Sequence, residues 1–538
     1  MFLKKVFINK YKVLKEISIN FERKKGYSVF PIISENGGGK STLLQIIFSF
    51  LHLAFVPNRQ KYLIKMLEFY NSKIKNDELI NVINFELEYN KKDIYIDFFY
   101  CRSNYKKLNF NSIVELRELE NKKELLRNTI KDIELLNNIE TDLQNSNISN
   151  MMVWRELSRF CQSHREEERL RTGDTKFLLS FINNTRTKLE RSLISDDEIN
   201  TQIIKAEAER NKLYEELKKE DLFYAFHFNQ NNDVLLYRSS SDIETLTNIS
   251  NQTYLATPNT QVLQFLKDEQ LSSLFTKDKY IYSTYDYFIR ECQQDIEGLF
   301  TYDFSAINLI LEVFQKARDN DFRKALETGE YGNQIKSTRE ELNGLLLGKS
   351  ITIDNSFKGV TFSTIDSNLT LSPKDLSHGE LKKLSIYIWL KAKTQDDSLI
   401  LMDEVDMGLH PTWQHELLDD LQKWTNGNQF ILATHSPQII SKSYYKNIVV
   451  IKRTIGGATS EQFNHAPLES DLNTIVKTIM GGEYIPKELS ELRKKYRTLF
   501  EEGKIDSDEA KEIKNKILIY ESENSSFFQD IKFQISLK

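Results

Sequence analysis

Nine residues constrain this chain more than any others: Ser34-Glu35-Asn36-Gly37-Gly38-Gly39-Lys40-Ser41-Thr42. They follow a run from Ser28 to Ile33 that reads as a buried strand, and a helical run begins at Lys40. Strand, glycine turn and helix is the setting in which backbone N–H groups turn inward and cradle phosphate oxygens. The helix N-terminus adds partial positive charge. In such a loop Lys40 reaches the β- and γ-phosphates, and the Ser41 hydroxyl is a ligand for Mg²⁺. The pattern asks for glycine where Ser34 stands, so a conformational cost is expected at that position.

Three further segments carry chemistry. In Leu399-Ile400-Leu401-Met402-Asp403-Glu404, four apolar residues end in two carboxylates. That places Asp403 at the carboxyl end of a central strand, where it can hold Mg²⁺. Glu404 can then take a proton from an attacking water. In Leu376-Ser377-His378-Gly379-Glu380, ahead of a helix, Ser377 and Glu380 make a capping box, and the helix start is a second potential anion site. In Phe430-Ile431-Leu432-Ala433-Thr434-His435-Ser436-Pro437, a strand delivers His435 to the sheet edge that carries Glu404. There His435 can meet a γ-phosphate or the water.

Length and charge set the frame. A chain of 538 residues exceeds one ordinary domain and points to two or three units. Its 73 basic and 78 acidic residues exclude a globally basic nucleic-acid binder and leave a local basic patch open. Three distant cysteines, Cys101, Cys161 and Cys292, form no disulfide framework, so a reducing cytoplasm is expected. Asn9-Lys10-Tyr11-Lys12 interrupts the N-terminal apolar stretch, so no signal peptide is expected there. The longest apolar run, Leu43 to Val56, is too short to span a bilayer and reads as a buried helix. No membrane partner is expected.

The pattern changes along the chain. Residues 79–100 alternate as a hairpin. From about Ser112, Leu119, Leu126, Ile130 and Ile133 fall at helical spacing, as do Ile199, Ile203, Ala206, Leu213 and Leu217 later. Two charged amphipathic helices separated by a polar segment fit an antiparallel arm or a pair of ordinary surface helices. Arg155, Arg159, Arg165, Arg169 and Arg171 could contact nucleic acid or a partner, but Glu166, Glu167 and Glu168 between them fit a solvated helical face better. Residues 351–372 read as strands, and helix–strand alternation follows. After about Arg453 the chain turns polar, with helix from Ser470 to near Phe528.

In this order the four segments resemble the ABC-type ATPase superfamily, and Leu376 to Glu380 is similar to its signature motif. Within it, the chain is similar to the branch holding RecF, the SMC proteins and the OLD-family ATPases. Lys40 and Asp403 lie 363 positions apart, and that branch splices an arm into the head. Gly408-Leu409-His410-Pro411 looks like the D-loop of OLD-like proteins, Thr434 to Gln438 like their H-switch, and Phe7 to Lys12 like the N-terminal nucleotide-side strand.

The resemblance implies an α/β fold: an ABC-type P-loop ATPase head with an inserted helical, short coiled-coil-like arm and a C-terminal helical tail. The expected boundaries are 1–110 and 351–455 for the two head halves and 111–222 for the arm. Residues 223–350 form a mixed segment, and 456–538 form a tail suited to partner binding. ATP and Mg²⁺ are the implied cofactors. Asn36, Gly37, Gly38, Gly39, Lys40, Ser41 and Thr42 bind nucleotide, Ser41 and Asp403 hold metal, and Glu404 and His435 are catalytic. Heads close as a homodimer or higher homo-oligomer, with Ser377 and Gly379 meeting the γ-phosphate held by the other subunit. The Q-loop glutamine stays open among Gln60, Gln252 and Gln261.

OLD nucleases add a Toprim domain. Here Asp506-Ser507-Asp508 reads as a helix cap instead, so no nuclease is expected in this chain. A stand-alone ATPase of this kind is similar to the ATPase subunit of Septu-type anti-phage systems and to ATPases that accompany some retrons. That implies a sensor and scaffold controlling a separate HNH nuclease, with a reverse transcriptase and its msDNA or another nucleic acid as further partners. The competing readings are a RecF- or SMC-like repair ATPase acting directly on DNA and a transporter ATPase, which the arm insertion does not suit.

Overall fold

The run Val29–Ser34 is buried at every position. In the computed structural model it lies between two parallel neighbours, Gln429–Ala433 and Val449–Thr454. The structure describes residues 1–24, 27–71, 74–75, 77–145, 150–161, 164–172, 174–192, 196–228, 233–266, 271, 281–302, 306–354, 357–367, 369–454, 456–462 and 486–537. They fall into two units. One comprises Met1–Phe69, Val82–Asp97 and Ser239–Lys538; the other comprises Tyr70–Asn81 and Phe98–Arg238.

In the first unit the sheet extends from Gln429–Ala433 through Leu399–Asp403 and Thr253–Thr257 to Leu299–Thr301, all parallel. On the other flank it turns mixed. Gly457–Gln462 pairs antiparallel with Val449–Thr454, and Phe2–Tyr11 runs antiparallel to both Leu14–Asn20 and Ile80–Tyr89. The composition of each strand explains its place. Parallel strands covered on both faces need continuous apolar runs. Leu399 to Met402 and Phe430 to Ala433 supply them and are fully buried. Leu14–Asn20 instead alternates, with Leu14, Ile17 and Ile19 inside and Lys15, Ser18 and Asn20 outside.

A helix at His378–Lys393 covers the parallel half. Its Trp389 stacks on Phe300 at 4.7 Å, within a core that includes Ile400, Met402, Phe430 and Leu432. Full burial of each large apolar side chain stabilises by about 1.5–3 kcal/mol. Register brings the chemistry together. Asp403 lies beside Ala433, and Ala433 beside Ile32. The carboxyl ends of the three strands therefore share one edge, where ligands of open α/β sheets bind.

Two local expectations change. The apolar run from Leu43 is α-helical only to Phe48 and continues as a buried π-turn, Ser49–Leu53. After Arg453 the chain does not become helical at once. Gly457 sits at φ 142° and starts the strand Gly457–Gln462. That strand is short and polar, so its sequence gave no strand signal. Residues 463–485, including the expected helix start at Ser470, lie outside the described residues. Beyond them the helices Lys487–Glu501, Asp508–Ile517 and Ser526–Leu537 share a small core of Leu489, Tyr496, Phe500, Ile513, Phe528 and Ile531. Ser507 caps the second of these, accepting from the Ala510 N–H. Among the described residues no helix is long and apolar enough to cross a membrane.

In the second unit, helices Asn111–Gln144 and Asp196–Lys219 run antiparallel. Asn109 donates to Glu209 at 2.6 Å and Lys123 to Asn200 at 2.5 Å, while Leu116 and Leu119 pack on Ala206. The described parts of the segment between them are mainly helical and build a core with the end of the first helix, in which Leu136, Ile139, Val153, Leu157, Leu178 and Ile182 meet. Arg159 pairs with Asp132 at 2.8 Å, and the Arg171 guanidinium lies over Trp154.

Candidate active site

The glycine-rich loop starts from a strand rather than from a strained turn. Ser34 is the last residue of Val29–Ser34, and the left-handed positions are Gly37 at φ 74° and Gly39 at φ 101°. The conformational cost expected at Ser34 is therefore absent. Its hydroxyl donates to the Glu35 carbonyl at 2.7 Å and accepts from Lys40 at 3.1 Å. Gly38 must remain glycine because a Cβ there would lie 2.6 Å from that hydroxyl. Lys40 opens the helix Lys40–Phe48 and is buried. Burial lowers its pKa, against the pull of Asp403, Glu404 and Asp406.

Lys40 also lies 2.7 Å from His435 Nε2. An ammonium can only donate, so Nε2 is the acceptor and the imidazole is neutral. Burial and the neighbouring Lys40 charge hold the His435 pKa below its usual value. The sequence placed His435 at this edge. Its hydrogen bond to Lys40 depends on the register of two strands that no local pattern reveals.

Asp403 ends the strand Leu399–Asp403 and is 2% exposed. Neither of its carboxylate oxygens makes a hydrogen bond of normal geometry. Burial pushes its pKa up to about 6, although the Ser41 hydroxyl and Lys40 beside it act in the opposite direction. A buried carboxylate beside a serine hydroxyl offers the oxygen ligands that a hard cation takes. With Ser41 adjacent, the residues fit Mg²⁺. Glu404 follows at φ 50°, a left-handed conformation for a side-chain-bearing residue, and its N–H donates to the Ala433 carbonyl at 3.0 Å. Such strain is commonly stored at functional sites. Asp406, which sequence reasoning passed over, adds a third acid, and its charge acts on Lys40, His435 and Asp403. The spacing Asp-Glu-Val-Asp was its only signal.

The three glutamines left open differ in their contacts. Gln60 donates to the Ala54 carbonyl, and Gln252 to Gln395. Gln261 follows the strand Thr253–Thr257, the neighbour of Leu399–Asp403. Its Oε1 accepts from Gln45 at 2.7 Å. Gln45 is four residues beyond Ser41 on one helix, hence on the same face.

Ser377 and Gly379 make their contacts elsewhere. Ser377 caps His378–Lys393 in the expected capping box with Glu380, and Lys349 donates twice to that carboxylate, at 2.6 and 2.8 Å. A Cβ on Gly379 would lie 2.9 Å from the Gly408 carbonyl and 3.1 Å from Trp413, so the helix start and the 406–411 turn are closely apposed. An open cleft of about 890 Å³ lies there, lined by Lys349, Ser377, His378, Glu380, His410 and Trp413 among others.

Residues 162–441 match the family described as "AAA domain, putative AbiEii toxin, Type IV TA system". That span is just over half of the chain and includes Ser377, Asp403, Glu404 and His435. The chain belongs to this family. Its motifs resemble those of ABC-type ATPases, and the chain is similar to retron-associated ATPases. It is 32% identical over 121 residues to "Retron Vc95 probable ATPase" of Vibrio cholerae serotype O1 biovar El Tor, covering 22% of this chain and 23% of that protein. It is 25% identical to "Retron Ec83 probable ATPase" of Escherichia coli, covering 29% and 36%. The chain thus spans only about a quarter to a third of these relatives. The solved SMC head domain from Thermotoga maritima aligns with 86% of this chain and 100% of its own at 11% identity. Its TM-score of 0.34 is too low to carry an argument.

Proposed function

We propose that the chain binds ATP with Mg²⁺ at Asn36 to Thr42 and hydrolyses it, with Glu404 as general base. The observation that carries this reading is the buried Asp403 carboxylate beside Ser41 and Lys40, neither of whose oxygens makes a hydrogen bond of normal geometry. Ser41 and Asp403 would hold Mg²⁺, which when bound neutralises phosphate charge and polarises the transferring group. The glycine N–H groups and Lys40 hold and orient the phosphates. Lys40 then leaves Ser34 and His435 for phosphate oxygens, and His435 contacts the γ-phosphate or the water. Glu404 accepts the proton of the attacking water, and Gln261 orders the groups around Ser41. Ser377 and Gly379 close over the nucleotide of a second copy, for which the open cleft at the helix start is suited.

Lys40→Ala is expected to weaken ATP binding at least about a hundredfold, because charge-assisted bonds to phosphate contribute roughly 1.5–3 kcal/mol each. Isothermal titration with Mg·ATP checks this; affinity near wild type would remove Lys40 from the site. Gln261→Ala should lower kcat roughly tenfold with little change in affinity, since it removes only an ordering contact. An unchanged kcat would return the glutamine to the open set.

The broader role we infer is that of a sensor and scaffold whose nucleotide state controls a separate HNH-type nuclease in an anti-phage defence system. The similarity to retron probable ATPases supports this context. Affinity purification from the native host, followed by mass spectrometry, tests it. A nuclease that co-purifies in an ATP-dependent manner is the expected result. ATPase activity strongly stimulated by DNA, with salt-sensitive binding and no nuclease recovered, would favour a repair role instead.

A further inference from the structure

Lys382 is a cation almost sealed from solvent, with 3% exposure. It lies early in the helix His378–Lys393, three residues beyond Gly379. Its ammonium donates to the Glu404 carbonyl at 3.0 Å and to the Met407 carbonyl at 2.7 Å. The same ammonium sits 4.2 Å from the centre of the buried Tyr302 ring. An ammonium this buried persists only where partners replace its water. Here two of those partners are backbone carbonyls of the turn that carries Glu404.

That turn needs holding. Glu404 stands at φ 50°, which side-chain-bearing residues adopt only when their surroundings enforce it. Its carbonyl also accepts from the Met407 N–H at 3.2 Å, so Glu404 and Met407 are the two ends of one tight turn. Lys382 binds both ends. It reaches them from the helix whose first residues, Ser377 to Glu380, line the open cleft. Gly379, packed against Gly408 and Trp413, makes a second contact between the same two elements.

We propose that Lys382 is a positioning residue. It ties the strained turn bearing Glu404 to the helix that starts at Ser377, so that occupancy of the helix start sets the aim of the carboxylate. A phosphate arriving at Ser377 would thereby reach the base through one side chain. The proposal rests on Glu404 being the general base.

The test uses the full chain with Lys382→Met, Lys382→Arg and Glu404→Gln in parallel. Affinity for Mg·ATP and kcat are measured for each. Lys382→Met should lower kcat about a hundredfold, as a misplaced catalytic group does, while affinity stays within about twofold. Lys382→Arg, which keeps a buried cation and its donors, should recover kcat to within about tenfold of wild type. The penalty of Ser377→Ala should shrink in the Lys382→Met background, because coupled residues are not additive. A wild-type kcat in Lys382→Met beside an inert Glu404→Gln overturns this proposal alone. So does joint loss of affinity and turnover that arginine fails to restore, which marks a merely structural lysine. Wild-type turnover by Glu404→Gln withdraws the general-base assignment instead, and the proposal with it.

Discussion

Glu404→Gln is expected to leave nucleotide affinity intact and to cut turnover by about a hundred- to ten-thousandfold. Glutamine keeps the length and shape of the side chain, so the left-handed turn at φ 50° and the N–H bond to the Ala433 carbonyl persist. It removes only the ability to accept a proton. Lys40, Ser41 and Asp403 are untouched, so phosphate binding should stay within about twofold. If two heads close over nucleotide, the variant should also accumulate as an ATP-bound dimer. Single-turnover hydrolysis and size-exclusion chromatography with and without ATP read the two effects separately. Turnover at the wild-type rate would show that Glu404 is not the base.

Asp403→Asn should have opposite effects on stability and on activity. Burial raises the Asp403 pKa from 3.8 to about 6. At neutral pH the folded, nucleotide-free chain therefore bears a buried charge that costs about 3 kcal/mol relative to the unfolded chain. The sign follows from the direction of the shift. Below the unfolded value both states are protonated and the cost vanishes. It grows as pH rises between 3.8 and about 6 and is complete above that. Asparagine removes the charge, so thermal unfolding without nucleotide should move to higher temperature at pH 7.5. The gain should disappear near pH 4. Mg²⁺-dependent hydrolysis should be lost in the same variant. Equal melting temperatures at pH 7.5 would mean that the carboxylate is not destabilising, and the cation reading would lose its support. Stability given up at a reacting group is a common trade.

Much of this site was legible in the sequence because its parts are local. Glycines at 37–39, the apolar run ending in Asp403-Glu404, and Ser377 three residues before Glu380 each encode a turn, a strand end or a cap within a few residues. What stayed hidden depends on register between distant segments. Lys40 meets His435, Gln45 meets Gln261, and Lys382 meets Glu404 only after the sheet is assembled. Thr253–Thr257 was unreadable for a related reason. Its five residues lie in a stretch without motifs, yet it pairs directly with Leu399–Asp403. The polar strand Gly457–Gln462 lacks apolar alternation, so it emerges from pairing rather than from composition.

The place of Val29–Ser34 in the sheet bears on how the chain is made. Both of its partners, Gln429–Ala433 and Val449–Thr454, come some 400 positions later. At roughly 5–20 residues per second of synthesis, the strand waits about 20 to 80 seconds for a neighbour. Throughout that interval a strand of Val, Phe, Pro and Ile has no edge to pair with, and Lys40 has no His435. The ribosome must therefore pass residue 454 before a nucleotide could be held as the finished site would hold it. A truncated chain that stops short of residue 429 would carry the glycine loop and no working pocket.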